Sequence, residues 1–203
     1  TAAAATPLLA EHPVLSVNGN VAALCPEEFV ELSEETGAKL EVNLFHRLPG
    51  REDAIDAVLR EAGAKEVLGV DGSATARIEE VFSDRRTMDP GGILVADVVF
   101  VPLEDGDRTE GLVRMGKRVV TVDLNPMSRT AQFADVTIVD NVVRAMPLLV
   151  SEAKRLKIES PEALREIVDS YSNRDALSDA MKTMRERLGR LSETGEFLKP
   201  SEG

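Results

Sequence analysis

Residues 96–141, ADVVFVPLEDGDRTEGLVRMGKRVVTVDLNPMSRTAQFADVTIVDN, decide the fold. Three short runs in it, 97–102, 118–123 and 136–139, are rich in Val and Ile and mostly lack a polar face. Such runs are expected of parallel strands covered on both sides. Between the first two, residues 107–115 read as a helix that stops at Gly116, and after the second Asn125-Pro126 opens a shorter helix.

The same alternation extends toward the N-terminus, with strands expected at 14–17, 40–44 and 67–70. Pro26-Glu27-Glu28 places proline and acids in a first turn closed by Gly37, and residues 51–62 bury Ile55, Val58 and Leu59 before Gly63. Alternating β and α elements predict a doubly wound α/β fold, a mostly parallel sheet of about six strands. After Asn141 only helices follow. Residues 142–157 carry an apolar stripe that Pro147 should kink or delay, and Ser160-Pro161-Glu162 caps a second helix. Residues 174–191 place Leu177, Met181, Met184, Leu188 and Leu191 at alternating spacings of 4 and 3. That seam either packs on the chain's own sheet or meets a second copy. The expected organisation is a domain over 1–157 and a C-terminal helical extension over 158–203.

The chain has 203 residues with 24 Lys and Arg against 36 Asp and Glu, a formal charge of −12. Such acidity argues against a duplex nucleic-acid binder and against an anionic membrane surface. Arg outnumbers Lys 17 to 7, and aromatics are scarce, a composition associated with salt-adapted cytosols. One cysteine excludes an internal disulfide, and Cys25 reads as a small buried residue. With no targeting or transmembrane segment legible, the expected location is cytoplasmic. Thr1 opens inside an Ala-rich helix, so an upstream segment is expected.

In an open parallel sheet, ligands bind beyond the carboxyl ends of the strands, and polar residues gather at those ends. They are Asn18, Gly19 and Asn20; Asn43, His46 and Arg47; Glu104, Asp105, Asp107 and Arg108; Asp123, Asn125, Ser128, Arg129 and Thr130; Asp140, Asn141 and Arg144. Four guanidinium groups, of Arg47, Arg108, Arg129 and Arg144, on a net-acidic protein point to phosphorylated anions, with a nucleotide foremost. Helix starts at Asn125 and Asn141 would add free backbone N–H groups, and the aspartates could meet hydrated Mg²⁺ or a ribose. Familiar phosphate loops are absent. Residues 111–117, GLVRMGK, match half a P-loop, but Arg118 follows where Ser or Thr belongs, and the context is helix, turn, strand. No G-x-G-x-x-G follows a strand, and two histidines cannot build a His-rich metal site.

HPVLSVNGNVAAL (12–24), KLEVNLF (39–45), the PLEDGDRTE and DLNP-x-SRTAQ-x-AD motifs within 96–141, and VVRAMP (142–147) together resemble the archaeal phosphopantothenate synthetases. The resemblance covers roughly residues 8–157. It implies a Rossmann-like homodimeric ligase of coenzyme A biosynthesis that condenses 4-phosphopantoate with β-alanine, using ATP and Mg²⁺ and releasing AMP and diphosphate. It assigns ATP contacts to Asp123, Leu124, Asn125, Arg129, Thr130, Asn141 and Val142. Arg47, Arg108, Asn18 and Asn20 are then the candidates for phosphopantoate or its developing charge, with the metal ligands unassigned. The family it resembles carries an N-terminal helical segment whose arginines help bind ATP. A second reading therefore stays open, a nucleotide-binding module or inactive fragment lacking that part of the site.

Overall fold

The computed structural model describes residues 1–46, 48–70, 72–77 and 84–195. Five strands form one sheet: β1 (Pro13–Val17), β2 (Lys39–Val42), β5 (Val98–Phe100), β6 (Arg118–Asp123) and β7 (Val136–Val139). Their order is β2-β1-β5-β6-β7, with every pair parallel. Two short strands, β3 (Ala76–Arg77) and β4 (Thr87–Met88), pair antiparallel outside this sheet, and a 3₁₀ turn (Asp84–Arg86) leads into β4.

The expected strand at 67–70 is reduced to one bridge, so the sheet has five strands where about six were expected. Leu68 pairs with Glu41, donating to the Leu40 carbonyl and accepting from the Val42 N–H, both at 2.8 Å. Gly69 then turns the chain away at φ 80°, where an added Cβ would lie 2.4 Å from the Val42 carbonyl oxygen. Only glycine takes that turn at that distance.

Helices cover both faces of the sheet. The first face buries Leu15, Val17, Leu40, Val42, Phe100, Val120 and Val122. The helices α1 (Ala2–Leu8), α3 (Pro26–Thr36) and α7 (Val142–Leu156) contribute to this core, and Phe29 of α3 meets Phe100 at 5.6 Å between ring centroids. α7 starts at Val142 and runs through Pro147 without the anticipated delay. The second face buries Val14, Val99, Val101 and Val119 against Met88, Ile93 and Leu112, the last from α5 (Gly106–Arg114). Strand alternation also turns Ser16, Glu41 and Thr121 toward that second face, and all three are buried.

The remaining helices are α2 (Gly19–Leu24), α4 (Arg51–Glu61), α6 (Arg129–Phe133), α8 (Pro161–Asp169) and α9 (Asn173–Thr194). α8 lies against α1 and inserts Leu164 into the first core, and α9 begins against β7 and α6. No helix among the described residues is long and apolar enough to cross a membrane.

Candidate active site

The chain leaves β1 toward one edge of the sheet and continues from β5 toward the other, which opens a crevice between their carboxyl ends. Asn18 spans it. Its Oδ1 accepts the N–H groups of Asn20 and Val21 at 3.0 Å, capping α2, while its Nδ2 donates to the carbonyls of Pro102 (3.1 Å) and Leu103 (3.4 Å). Leu103 has φ 53°, a left-handed conformation that costs a bulky residue on the order of 1 kcal/mol. Asn20 is exposed beside this bridge, in the first turn of α2.

Beneath the crevice lies a buried charge cluster. Arg108 is fully buried; its Nη2 donates to Ser16 Oγ at 3.0 Å and its Nη1 to Glu104 Oε2 at 2.5 Å. Glu104 also pairs with Arg85, whose Nη1 reaches Asp105 Oδ2 at 3.3 Å. The Arg85 guanidinium lies 5.9 Å from the centre of the Phe45 ring, within cation–π range. Burial pulls Arg85 down to about 9, helped by the charges of Arg108 and Arg51. Burial likewise brings Arg108 to about 10, against the opposing pull of Glu41 and Asp105.

Two residues of the β2 end hold segment 84–93 over this cluster. Asn43 Nδ2 donates to the carbonyls of Thr87 (3.1 Å) and Arg85 (3.4 Å). Glu41 accepts from the N–H groups of Asp89 (3.2 Å) and Ile93 (2.6 Å), and burial pushes its carboxyl above the ordinary range. Among the described residues, Asn43 Oδ1, Arg85 Nε and Arg108 Nε are buried without a hydrogen-bond partner.

The β6 and β7 ends form the other half. Asp123 accepts from the Asn125 N–H (2.8 Å) and the Ser128 hydroxyl (2.5 Å), and Asn125 Oδ1 accepts from Met127 N–H at 3.0 Å. Asn125 therefore opens a turn, and the helix expected there starts at Arg129 with Ser128 as its cap. Arg129 is more than half exposed and donates to Asp107 (2.6 Å) and Glu110 (2.7 Å), which hold its pKa above the usual value. An added Cβ on Gly106 would lie 2.4 Å from Arg129 Cβ, so glycine lets α5 begin against α6. Thr130 is buried, its hydroxyl donating to the Glu104 carbonyl at 2.9 Å, and so ties the two halves together. Asn141 caps α7 through the Val143 N–H at 2.9 Å; Val142 is buried and Leu124 exposed.

Asn18, Asn20 and Arg108 thus lie on the β1–β5 side, and Asp123, Leu124, Asn125, Arg129, Thr130, Asn141 and Val142 at the β6 and β7 ends. Arg47 lies outside the described residues. Cys25 is buried and its thiol is raised to about 12, chiefly by burial, which suits a packed residue. Arg85, buried against Glu104 and Asp105, was missed in the sequence. Ser16 and Glu41, polar residues inside otherwise apolar strands, signal only the buried polar layer beside it, where they meet Arg108, Asp89 and Ile93.

The fold and this edge define an α/β protein with an arginine-bearing crevice at its topological switch point. A family model described as phosphopantothenate/pantothenate synthetase matches residues 1–187. Curated relatives named 4-phosphopantoate–β-alanine ligase include one from Thermococcus kodakarensis, 55% identical over 96% of this chain and 74% of its own length. Others are from Thermococcus onnurineus (51% identical, 98% and 76%) and Methanosarcina mazei (49%, 96% and 76%). The chain belongs to the phosphopantothenate/pantothenate synthetase family.

Proposed function

We propose that this chain is the ATP-dependent ligase that joins 4-phosphopantoate to β-alanine, forming 4′-phosphopantothenate, AMP and diphosphate in coenzyme A biosynthesis. The observation that carries this reading is the match to ligases through nearly the whole chain. A bare nucleotide-binding module is disfavoured by the same match. A cytoplasmic location goes with the reading.

A carboxylate does not accept an amine until one of its oxygens becomes a leaving group. The 4-phosphopantoate carboxylate would first attack the α-phosphorus of ATP, forming a C(O)–O–P bond as the bond to diphosphate breaks. The β-alanine amine, having lost its ammonium proton, then attacks the acyl carbon and expels AMP. The first step depends on cationic groups that offset the charge of two approaching anions, and the second mainly on position and on the loss of that proton.

ATP is assigned to the Asp123–Ser128 turn, Arg129, Thr130 and the start of α7 at Asn141 and Val142. Arg129 uses two of its N–H donors on Asp107 and Glu110, and others remain. Arg47 and Asn20 would meet 4-phosphopantoate, while Asn18 and Arg108 brace the crevice from below. No cluster of three or more His, Cys, Asp or Glu suited to a metal occurs among the described residues. Mg²⁺ would accompany ATP through its phosphates and water, and no step is routed through it.

Homodimerisation through α9 completes the proposal. Its first turns bury Leu177, but further along Met181, Met184 and Leu188 are 39%, 40% and 62% exposed on the stripe read from the sequence. The decisive experiment is diphosphate release from ATP, 4-phosphopantoate and β-alanine, with each omitted in turn. Release should require ATP and 4-phosphopantoate, and sustained turnover should require all three.

A further inference from the structure

Arg51 and Arg85 belong to different segments, and neither was legible as a site residue. Arg51, at the start of α4, donates through Nη1 to the His46 carbonyl at 3.4 Å. Its Nη2 lies 3.1 Å from where a Cβ on Gly19 would stand, so its guanidinium rests against the first residue of α2. Among the described residues no carboxylate forms a salt bridge with Arg51. His46 packs edge-on against Phe45 at 4.6 Å, and Arg85 lies over the same Phe45 ring. The Arg85 side chain is 8% exposed, is braced by Glu104 and Asp105, and has a buried Nε without a partner. Two guanidinium groups thus meet the loop at the end of β2 from opposite elements.

We propose that Arg51 and Arg85 form the subsite for the phosphate group of 4-phosphopantoate. The proposal rests on the ligase reading and adds to it which end of the substrate goes where. 4-Phosphopantoate has a carboxylate at one end of a four-carbon chain and a phosphate at the other. Adenylation brings the carboxylate to the α-phosphate of ATP, at the β6 and β7 ends. Neighbouring strands lie about 4.8 Å apart, so β2 is about 14 Å from β6 across three steps of the sheet. The substrate covers less than half of that span, roughly 6 Å from carboxyl carbon to phosphorus, so its phosphate falls near the β1 end, where the Arg51 guanidinium rests against Gly19 and Arg85 approaches over Phe45. Guanidinium suits it, since its planar fork matches two phosphate oxygens. The same chemistry could instead receive the terminal phosphates of ATP, and the test separates the two.

The full chain is titrated calorimetrically with 4-phosphopantoate and with unphosphorylated pantoate, and KM values are measured for both phosphorylated substrates. Arg51→Ala alters an exposed side chain; Arg85→Lys keeps the buried charge but removes Nε and the fork. Each variant should lose about 10- to 100-fold in affinity for 4-phosphopantoate, the scale of a charge-assisted hydrogen bond. Pantoate affinity and the KM for ATP should stay within about twofold. Undiminished preference for 4-phosphopantoate over pantoate in Arg51→Ala overturns the subsite, as does a rise confined to the KM for ATP. A wild-type chain that neither binds 4-phosphopantoate nor turns it over overturns the ligase reading together with the subsite.

Discussion

Asn18 donates its side-chain amide to the carbonyl oxygen of Pro102 at 3.1 Å, joining the ends of β1 and β5 at the point where the sheet changes direction. The same side chain caps α2. Asn18→Ala removes both functions and should cost about 2 kcal/mol, about half from the cap and half from the buried hydrogen bonds. Asn18→Ser can retain the cap and should recover about half of that loss. Thermal unfolding of the two variants checks the order.

The proposed place of Arg129 in the ATP site predicts a kinetic split between ATP and 4-phosphopantoate. Its guanidinium is exposed and its ion pairs are on the surface, so Arg129→Ala should leave the melting temperature unchanged. It should raise the KM for ATP about tenfold or more while the KM for 4-phosphopantoate holds. Unchanged ATP affinity and turnover would remove Arg129 from the nucleotide site.

Glu41 gives the second face of the sheet a pH dependence of known sign. Its folded-state pKa lies above the ordinary 4.5, first because of burial, so the native chain binds its proton more tightly than the unfolded chain does. The stability it confers is complete below 4.5 and is lost as pH rises through the raised value. Glu41→Gln cannot ionise and gives up the accepted bond from either Asp89 or Ile93, a roughly constant loss. Denaturation from about pH 4 to about pH 8 should show the variant gaining on wild type as pH rises. A constant difference would mean that Glu41 titrates alike in both states.

The distal half of α9 predicts an assembly state. Leu188→Asp places a charge on the exposed apolar stripe and should convert a dimer to monomer in sedimentation velocity, with the monomer's secondary structure intact. A monomeric wild-type chain would assign the stripe another role.

The parallel core was legible because its strands are uninterrupted Val and Ile runs separated by helices with glycine stops. Gly37 and Gly116 end α3 and α5 in left-handed turns as read. The strand at 67–70 failed because one backbone conformation, at Gly69, outweighs the β propensity of Val67 and Val70. Asn125 misled for a related reason: its side chain closes a turn on Met127, and Ser128 does the capping three residues later. Arg108 was recognised as a strand-end cation, but its burial depends on Glu104 and Ser16, partners that only the folded sheet brings to it. Arg85 had no local signature at all. It matters because Phe45, Glu104 and Asp105 converge on it from the ends of two other strands.

The route through an acyl-adenylate is tested most directly with 4-phosphopantoate carrying ¹⁸O in its carboxylate. When the carboxylate attacks the α-phosphorus and the amine later breaks the acyl C–O bond, one labelled oxygen remains on the phosphate of AMP. Mass spectrometry of the products should therefore find ¹⁸O in AMP and none in diphosphate. Label in inorganic phosphate, or amide formation with unlabelled AMP, would contradict it.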